Sequence, residues 1–329
     1  MTLVHIAFLF FGTALVSFAA TALTLHFLES RGIVDTPNER SSHAAPTPRG
    51  GGLAVIVVIL VAWGLALDSA FTNYLWLFAA TLSIALVSWI DDLGGLSALV
   101  RLLSQFAAVG IVFWLMPTSN LYFHGLLPFW LDNVIAFILW VWFINLFNFM
   151  DGIDGITAVE SIGIGLGVFF LMIIGSAQMV HGLLGLSISA AALGFLWWNW
   201  QPAKIFLGDV GSVPLGFLLG WLLLEIMASP VWPAALILPL YYLADATITL
   251  IRRALRGEKI WSAHREHYYQ QAVQRGLNHA KVASIIGLAN ILLIGLTILS
   301  INQPLTGIGG AIIIVAGLLF FMRGSSETS

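Results

Sequence analysis

The chain has 329 residues, of which 59% are hydrophobic and 9% charged, with a net charge of −3 and no cysteine. Soluble domains carry about 25% charged residues, so the composition excludes an ordinary soluble enzyme and makes lipid the solvent for most apolar side chains. The net charge gives no basis for binding nucleic acid, and the lack of cysteine excludes disulfides and thiolate metal sites.

Apolar segments of the length that crosses a bilayer follow one another along the chain. A transmembrane helix needs about 20 mostly apolar residues. This length predicts an all-α polytopic membrane protein with about eleven transmembrane helices, forming one membrane-embedded domain over residues 1–329. The first segment lacks the basic region of a signal peptide and is expected to remain as a helix. The eleven segments are 3–28, 52–68, 74–90, 99–117, 129–148, 156–176, 181–199, 212–228, 233–251, 283–301 and 307–322.

The 13 Lys and Arg residues all fall in alternate loops or at the chain end that shares their side. This bias is the one described by the positive-inside rule, which predicts a periplasmic N-terminus and a cytoplasmic C-terminus. The remaining loops carry no basic residue and are expected to face outward. The predicted cytoplasmic loops are about 29–51, 91–98, 149–156, 200–211 and 252–282.

Aspartates gather in the same predicted inner loops. Asp91 and Asp92 end the third segment, Asp151 and Asp154 lie in NLFNFMDGIDG, and Asp209 lies in FLGDVGS. A single Asp at such a position usually caps a helix or solvates a loop. An adjacent pair, a DGxDG and a GD-x-GS on three inner turns instead favour a phosphate-handling site.

The polar residues around the fifth segment have helical spacing. Asn145, Asn148, Asp151 and Asp154 recur every third residue and would share one face if the helix continued. The intervening glycines of DGIDG are expected to let the backbone approach a ligand. Oxygen ligands in a chain without cysteine suit Mg²⁺, with Mn²⁺ as the alternative.

Helix eight is expected to begin close to Asp209. Ser212 is the predicted N-cap and Pro214 falls in the first turn. The N-terminus of such a helix favours a nearby phosphate.

Basic residues complete the predicted site. Arg49 precedes three glycines in TPRGGG, a loop whose amides could hold an anion or which serves only as a charged turn. In HREH, the side chains of His264, Arg265 and His267 are expected to contact phosphate rather than solvent alone.

Asp245 lies inside the ninth segment, where an ionisable residue is unusual. One interpretation is an Asp at a helix end that pairs with Arg252 or Arg253. The other is a functional group, which is the default for an ionisable residue at membrane depth. The sequence leaves both open.

Five motifs in order make the chain resemble the polyprenyl-phosphate N-acetylhexosamine-1-phosphate transferases, glycosyltransferase family 4. This family includes the phospho-MurNAc-pentapeptide translocase and the enzymes that initiate O-antigen synthesis. HREH makes the chain most similar to the O-antigen initiating branch. The peptidoglycan branch has a DDxxK motif and a run of three histidines, which DDLGG and HREH do not match. The motifs are PNERSSHAAPTPRGGG, DDLGGLSALVRLLSQ, NLFNFMDGIDG, FLGDVGS and HREHYYQQA.

The resemblance implies an enzyme of the bacterial cytoplasmic (inner) membrane. Its partners would be a UDP-N-acetylhexosamine and polyprenyl (undecaprenyl) phosphate, and its products polyprenyl-diphospho-sugar and UMP. This is the first membrane step of O-antigen or a related cell-surface polysaccharide. A homodimer is one assembly that the sequence leaves open.

The resemblance also implies roles for individual residues. Asp209 and Asn148 would hold Mg²⁺ against the diphosphate. Asp91 and Asp92 would be the catalytic aspartate pair, which either activates the lipid phosphate or binds the metal, and Arg101 would meet phosphate. The remaining implied substrate contacts are Arg49, Asn145, Asp151, Asp154, Phe206, His264, Arg265 and His267.

A polytopic transporter or flippase with an ion site at its inner face is the competing hypothesis. Transporter sites usually lie at the bilayer midplane, in broken helices. Here the acidic residues mark helix ends on one predicted face, which favours the enzyme.

Overall fold

The computed structural model describes residues 2–37, 45–115, 121–259 and 264–324. Outside the described residues lie part of the first motif (38–44), the end of the predicted fourth segment with the start of the outer loop after it (116–120), and the residues before HREH (260–263). The described chain is almost entirely helical. Its helices are α1 (Leu3–Arg31), α2 (Gly52–Leu67), α3 (Leu75–Gly94), α4 (Ala98–Leu115), α5 (Phe129–Phe149), α6 (Ile156–Ile173), α7 (Met179–Asn199), α8 (Asp209–Met227), α9 (Pro233–Ile237), α10 (Leu240–Leu255), α11 (Tyr268–Gln274), α12 (His279–Ser300) and α13 (Pro304–Arg323).

Within the described ranges, nine helical spans are long and apolar enough to cross a membrane, judged by length and composition. The prediction of an all-α polytopic membrane protein is confirmed. One of these spans is Gly52–Gly94, in which a 3-10 helix, Asp68–Tyr74, joins α2 to α3. The number of crossings and their direction remain predictions.

The predicted ninth segment, 233–251, is wrong as a single helix. The chain forms the short α9, leaves the helix at Leu238 and Pro239, and then forms α10. Pro239 has no amide hydrogen to donate, so the backbone ladder is interrupted there. Helix α10 extends to Leu255, beyond the predicted end.

Helix α8 lies at the centre of the bundle. It packs against α5 and α3 and also touches α2, α7 and α9. Nearly all of its side chains are buried, as expected for a helix that is apolar on every side. By contrast, α1 leaves large apolar side chains such as Phe8 (81% exposed) uncovered by protein, which in a bilayer contact lipid.

Two short strands interrupt the helical pattern next to the predicted site. Strand β1 (Val34–Asp35) pairs antiparallel with β2 (Thr47–Pro48), and Arg49 then bridges in parallel to Phe206. This pairing fixes TPRGGG against the loop that leads into α8. The ends of α2, α3 and α8 therefore meet in one place.

Candidate active site

The three glycines of TPRGGG pack directly on the FLGDVGS loop. The amides of Gly50 and Gly51 donate to the Phe206 carbonyl at 3.1 and 2.9 Å, and Gly52 N donates to the Leu207 carbonyl at 2.8 Å. Of the two interpretations left open for this loop, the amide cradle for an anion is therefore excluded, because all three glycine amides are bonded to backbone carbonyls.

The contact between these two segments requires glycine. A Cβ added to Gly52 would lie 2.2 Å from both Cα and N of Gly211, closer than any real carbon contact. The two backbones thus touch at the start of α2 and the start of α8. This fixes Arg49 at a defined distance from the first turn of α8.

Asp92 caps α8 from the end of α3. Its carboxylate accepts the amide of Asp209 at 3.0 Å and that of Val210 at 2.9 Å. The predicted cap by Ser212 is wrong, because the helix already begins at Asp209 and Ser212 lies within its first turn. Ser212 Oγ donates instead to Asn148 Oδ1 at 2.5 Å, which places Asn148 beside the first turn of the helix that Asp209 begins.

Two arginines neutralise the aspartates at this point. Arg49 Nη2 lies 2.9 Å from Asp92 Oδ1 and 2.7 Å from Asp209 Oδ1. Arg101 Nη1 lies 3.2 Å from Asp91 Oδ2 and 3.7 Å from Asp209 Oδ2. Asp91 also accepts the amide of Leu96. We call Asp91, Asp92 and Asp209 the carboxylate cluster; with its arginines it joins side chains from four separate parts of the sequence.

The electrostatics of the site reflect its burial. Burial disfavours the Arg49 charge, but Asp209 and Asp92 outweigh that effect and raise its pKa above the usual value. Burial raises the pKa of Asp151 to about 6, although the Thr157 hydroxyl and Arg49 oppose the shift. Thr157 Oγ1 donates to Asp151 Oδ1 at 2.6 Å.

The donor set suits a hard divalent cation. Among the described residues, no three His, Asp or Glu side chains form a ready-made metal group. Mg²⁺ commonly takes only one or two protein carboxylates and completes its shell with water and substrate phosphates. Asp209, Asp91 and the nearby amide oxygen of Asn148 provide such oxygens without any sulfur ligand.

The polar residues after α5 do not form one helical face. Helix α5 ends at Phe149, so Asp151 and Asp154 lie in the following turn, and the condition under which all four residues would share one helical face is not met. Asn145 Nδ2, still on the helix, donates to Gln105 Oε1 at 2.5 Å. Asp154 is 8% exposed, accepts Ala203 N at 3.1 Å and lies 3.3 Å from His279 Nδ1.

The HREH segment contains one accessible and one buried histidine. His267 is 2% exposed, whereas His264 is only partly buried, and their ring centres lie 4.7 Å apart. Burial, together with the neighbouring His267, lowers the pKa of His264 to about 4. At neutral pH His264 is therefore an uncharged imidazole, able to hydrogen-bond to a phosphate but carrying no positive charge.

Comparison of the sequence with known proteins identifies the family of this chain. The profile of glycosyl transferase family 4 matches residues 74–227. The undecaprenyl-phosphate alpha-N-acetylglucosaminyl 1-phosphate transferase of Escherichia coli (strain K12) is 30% identical over 82% of this chain and 77% of its own length. The chain belongs to glycosyl transferase family 4.

Other similar proteins come from other bacteria. A probable undecaprenyl-phosphate N-acetylglucosaminyl 1-phosphate transferase of Bacillus subtilis (strain 168) is 28% identical over 91% of this chain and 85% of its own length. The phospho-N-acetylmuramoyl-pentapeptide-transferase of Kosmotoga olearia is 32% identical, over 53% of this chain and 58% of its own length. The resemblance seen in the motifs is confirmed at the level of the family.

Several residues that shape the candidate site were not singled out by the sequence. Gln105 holds Asn145, His279 lies against Asp154, and Asn199 accepts the Gly155 amide at 2.9 Å. Gln105 stands inside an apolar segment, where a polar residue is costly unless paired, and this signal could have identified it. No such signal marks His279 or Asn199, which lie at helix ends.

Proposed function

We propose that the protein transfers an N-acetylhexosamine 1-phosphate from a UDP-sugar to polyprenyl phosphate at the cytoplasmic face of the bacterial inner membrane. The observation that carries the proposal is the carboxylate cluster with Arg49 and Arg101, assembled at the ends of α2, α3, α4 and α8. Both substrates are phosphate anions, and they repel each other strongly in a low-dielectric groove. Fixed guanidinium groups lower that repulsion and stabilise charge in the transition state.

The chemistry is a phosphoryl transfer. An oxygen of the lipid phosphate forms a bond to the β-phosphorus of the UDP-sugar, and the bond from that phosphorus to the bridging oxygen breaks, so that UMP leaves. The proposed Mg²⁺, held by Asp209 with Asn148, would supply neutralisation of the diphosphate charge. Arg49 and Arg101 lie beside the same carboxylates and would contact the phosphates, while Asp91 and Asp92 keep them in place.

The remaining proposed substrate contacts come from segments near the carboxylate cluster. The Asp151 carboxylate feels the positive charge of Arg49, and Phe206 forms a backbone bridge with Arg49. Both residues suit the uridine side of the donor. His264 and Arg265 suit the diphosphate or the sugar. Asp154 and His267 are largely buried by contacts within the protein and would support these segments from behind.

The donor is best tested first with UDP-N-acetylglucosamine, because the relatives in E. coli and B. subtilis are named for that sugar. The sequence DDLGG lacks the lysine expected of the peptidoglycan branch, which weighs against a muramyl-pentapeptide donor. Together with HREH, this supports a role in initiating O-antigen or a related surface polysaccharide.

The test uses purified protein with UDP-N-acetylglucosamine, undecaprenyl phosphate and Mg²⁺, with UMP release as the readout. We expect release that stops with EDTA and is lost in Asp209→Ala, while the variant remains in the membrane. Glu29→Ala, which removes an exposed carboxylate away from the cluster, is the matched control and should keep full activity. Unchanged turnover of Asp209→Ala would remove the metal assignment, and uptake without UMP release would favour a transporter.

A further inference from the structure

A buried carboxylate outside the cluster organises the HREH segment. Asp245, in α10, is 0% exposed. It accepts the hydroxyls of Tyr241 at 3.1 Å and Thr249 at 3.4 Å, one helical turn to either side. These two hydrogen bonds fix the orientation of the carboxylate relative to α10. The remaining lone pairs of its oxygens can accept hydrogen bonds from residues outside α10.

The other partners of Asp245 belong to the segment that contains HREH. The amide of Tyr268 donates to Oδ1 at 3.0 Å and that of Tyr269 to Oδ2 at 3.3 Å, which caps the start of α11. The ring nitrogen Nδ1 of His267 lies 3.1 Å from Oδ1. A single buried carboxylate thus holds both the histidine and the helix that follows it.

Neither arginine suggested by the sequence pairs with this carboxylate. Arg252 Nη1 donates to the Tyr268 hydroxyl at 3.2 Å, and Arg253 Nε donates to Glu258 Oε2 at 2.8 Å. Of the two interpretations that the sequence left open, the pairing of Asp245 with Arg252 or Arg253 is therefore not the one that the structure has. The carboxylate serves α11 and His267 instead.

The contact with Asp245 also sets the chemical state of His267. A carboxylate accepts only, so Nδ1 must carry the hydrogen, and a neutral ring then has its lone pair on Nε2. The ring is stacked on Tyr269 at 5.7 Å with an interplanar angle of 11° and lies beside His264. Its orientation and its tautomer therefore follow from one bond.

Tyr269 connects the start of α11 to the DGIDG turn. Its hydroxyl donates to the Phe149 carbonyl at 3.4 Å, at the end of α5. A Cβ on Gly152 would lie 2.2 Å from the same oxygen, so the glycine leaves space for Tyr269 rather than for a ligand, contrary to the sequence-based expectation. The start of α11 is thus seated on the turn that carries Asp151.

We propose that Asp245 is a positioning residue that holds the HREH segment against the DGIDG turn and fixes the Nδ1–H tautomer of His267. Its effect reaches the substrate through His264, the accessible histidine beside His267, and through the turn of Asp151. The kinetic part of this inference rests on the proposed function; the tautomer does not. The substrate affected is the UDP-sugar, since both segments are assigned to it.

The first measurement is made on the unmodified full-length protein in lipid nanodiscs. Nitrogen-15 NMR of the histidine side chains, with the His267 signals assigned by their loss in His267→Gln, reports which ring nitrogen is protonated. We expect a protonated Nδ1. A ring that is protonated at Nε2 and not at Nδ1 overturns the proposal. This result does not depend on the folding of any variant or on UMP release.

The second measurement compares Asp245→Asn with Tyr241→Phe. Asn keeps one acceptor oxygen. An NH₂ group in the place of Oδ1 can donate to Nδ1 and favours the opposite tautomer, but it then faces the Tyr268 amide, while the oxygen in the place of Oδ2 still accepts the Tyr269 amide. We expect the KM for the UDP-sugar to rise about tenfold or more, and the KM for the lipid phosphate to stay within about twofold. Tyr241→Phe removes one bond to the same carboxylate without touching His267, so both KM values should stay within about twofold.

The outcomes separate the two proposals. An unchanged KM for the UDP-sugar in Asp245→Asn, or equal losses in both variants and for both substrates, would make Asp245 merely structural and overturn the inference. Absence of UMP release in the unmodified protein would instead refute the proposed function, and the tautomer measurement would still decide the role of Asp245.

Discussion

The cap that Asp92 places on α8 makes the aspartate pair open to a sharp test. In Asp92→Asn the shape of the side chain is kept, but one of its two acceptor oxygens becomes an NH₂ group. That group would face the amide of Asp209 or Val210, or the guanidinium of Arg49, all of which are donors. The substitution therefore removes a hydrogen bond and adds a repulsion at the start of the helix.

The magnitude follows from these contacts. A hydrogen bond to a charged group contributes about 1.5–3 kcal/mol, and a negative charge at a helix N-terminus about 0.3–1 kcal/mol. We expect a local loss of about 2–4 kcal/mol from these two terms together. If that loss appeared fully in the transition state, it would lower the rate by roughly 30- to 900-fold, since about 1.36 kcal/mol is a factor of ten. Because Asp209 begins the same helix, a small shift of its carboxylate adds to the effect.

The assay is UMP release at saturating donor and lipid, with thermal unfolding measured on the same samples. Asp91→Asn is the comparison, because among the described residues the Asp91 carboxylate accepts one backbone amide, that of Leu96, and an amide oxygen can keep that bond. Asp92→Asn should lose rate and also lower the melting temperature more than Asp91→Asn does. Activity within about threefold of the unmodified protein, at an equal melting temperature, would refute the capping argument.

Two further predictions concern packing. Gly52→Ala should lower both the melting temperature and the rate of UMP release. The new Cβ would meet the Gly211 backbone at 2.2 Å, and overpacking of this kind costs about 1–3 kcal/mol. Gly64→Ala is the control on the same helix, and it should change neither quantity because its nearest neighbour lies at 3.9 Å. Glu160 Oε1 and Asn290 Oδ1 are buried and have no hydrogen-bond partner in the described part of the chain, although Asn290 Nδ2 donates to Glu160 Oε2 at 3.0 Å. Glu160→Gln supplies a donor for Asn290 Oδ1 and should not lower the melting temperature. Asn290→Leu removes the Nδ2 donor to Glu160 and should destabilise the protein by about 1–3 kcal/mol. A large loss of activity in Glu160→Gln at unchanged stability would show that the carboxyl group itself is needed.

Hydropathy alone was enough to predict the class of fold, because lipid imposes helices of nearly uniform length and composition. It could not predict the break between α9 and α10, since both pieces are apolar and only Pro239 marks the interruption. The two short strands were equally hidden. Their pairing depends on the loop that leads into α8, which is distant in the sequence.

The residues of the carboxylate cluster could be selected from their motifs, but their individual tasks could not. Asp91 and Asp92 are neighbours in sequence, yet Asp92 meets amides 117 and 118 positions away while Asp91 meets Arg101. In DGIDG the two aspartates look equivalent. In the turn after Phe149, Asp151 accepts a hydrogen bond from Thr157, whereas Asp154 lies beside His279.

The reach of Asp92 along the chain has a consequence for biosynthesis. Its backbone partner at Asp209 is made 117 residues later, which at about 5–20 residues per second is a delay of roughly 6–23 seconds. Arg49 has already been translated by then and lies 2.9 Å from Asp92 in the finished protein. The bridge that holds Arg49 in this position runs to Phe206, which is also made later, so both contacts of Asp92 form only after the loop that leads into α8 has been translated.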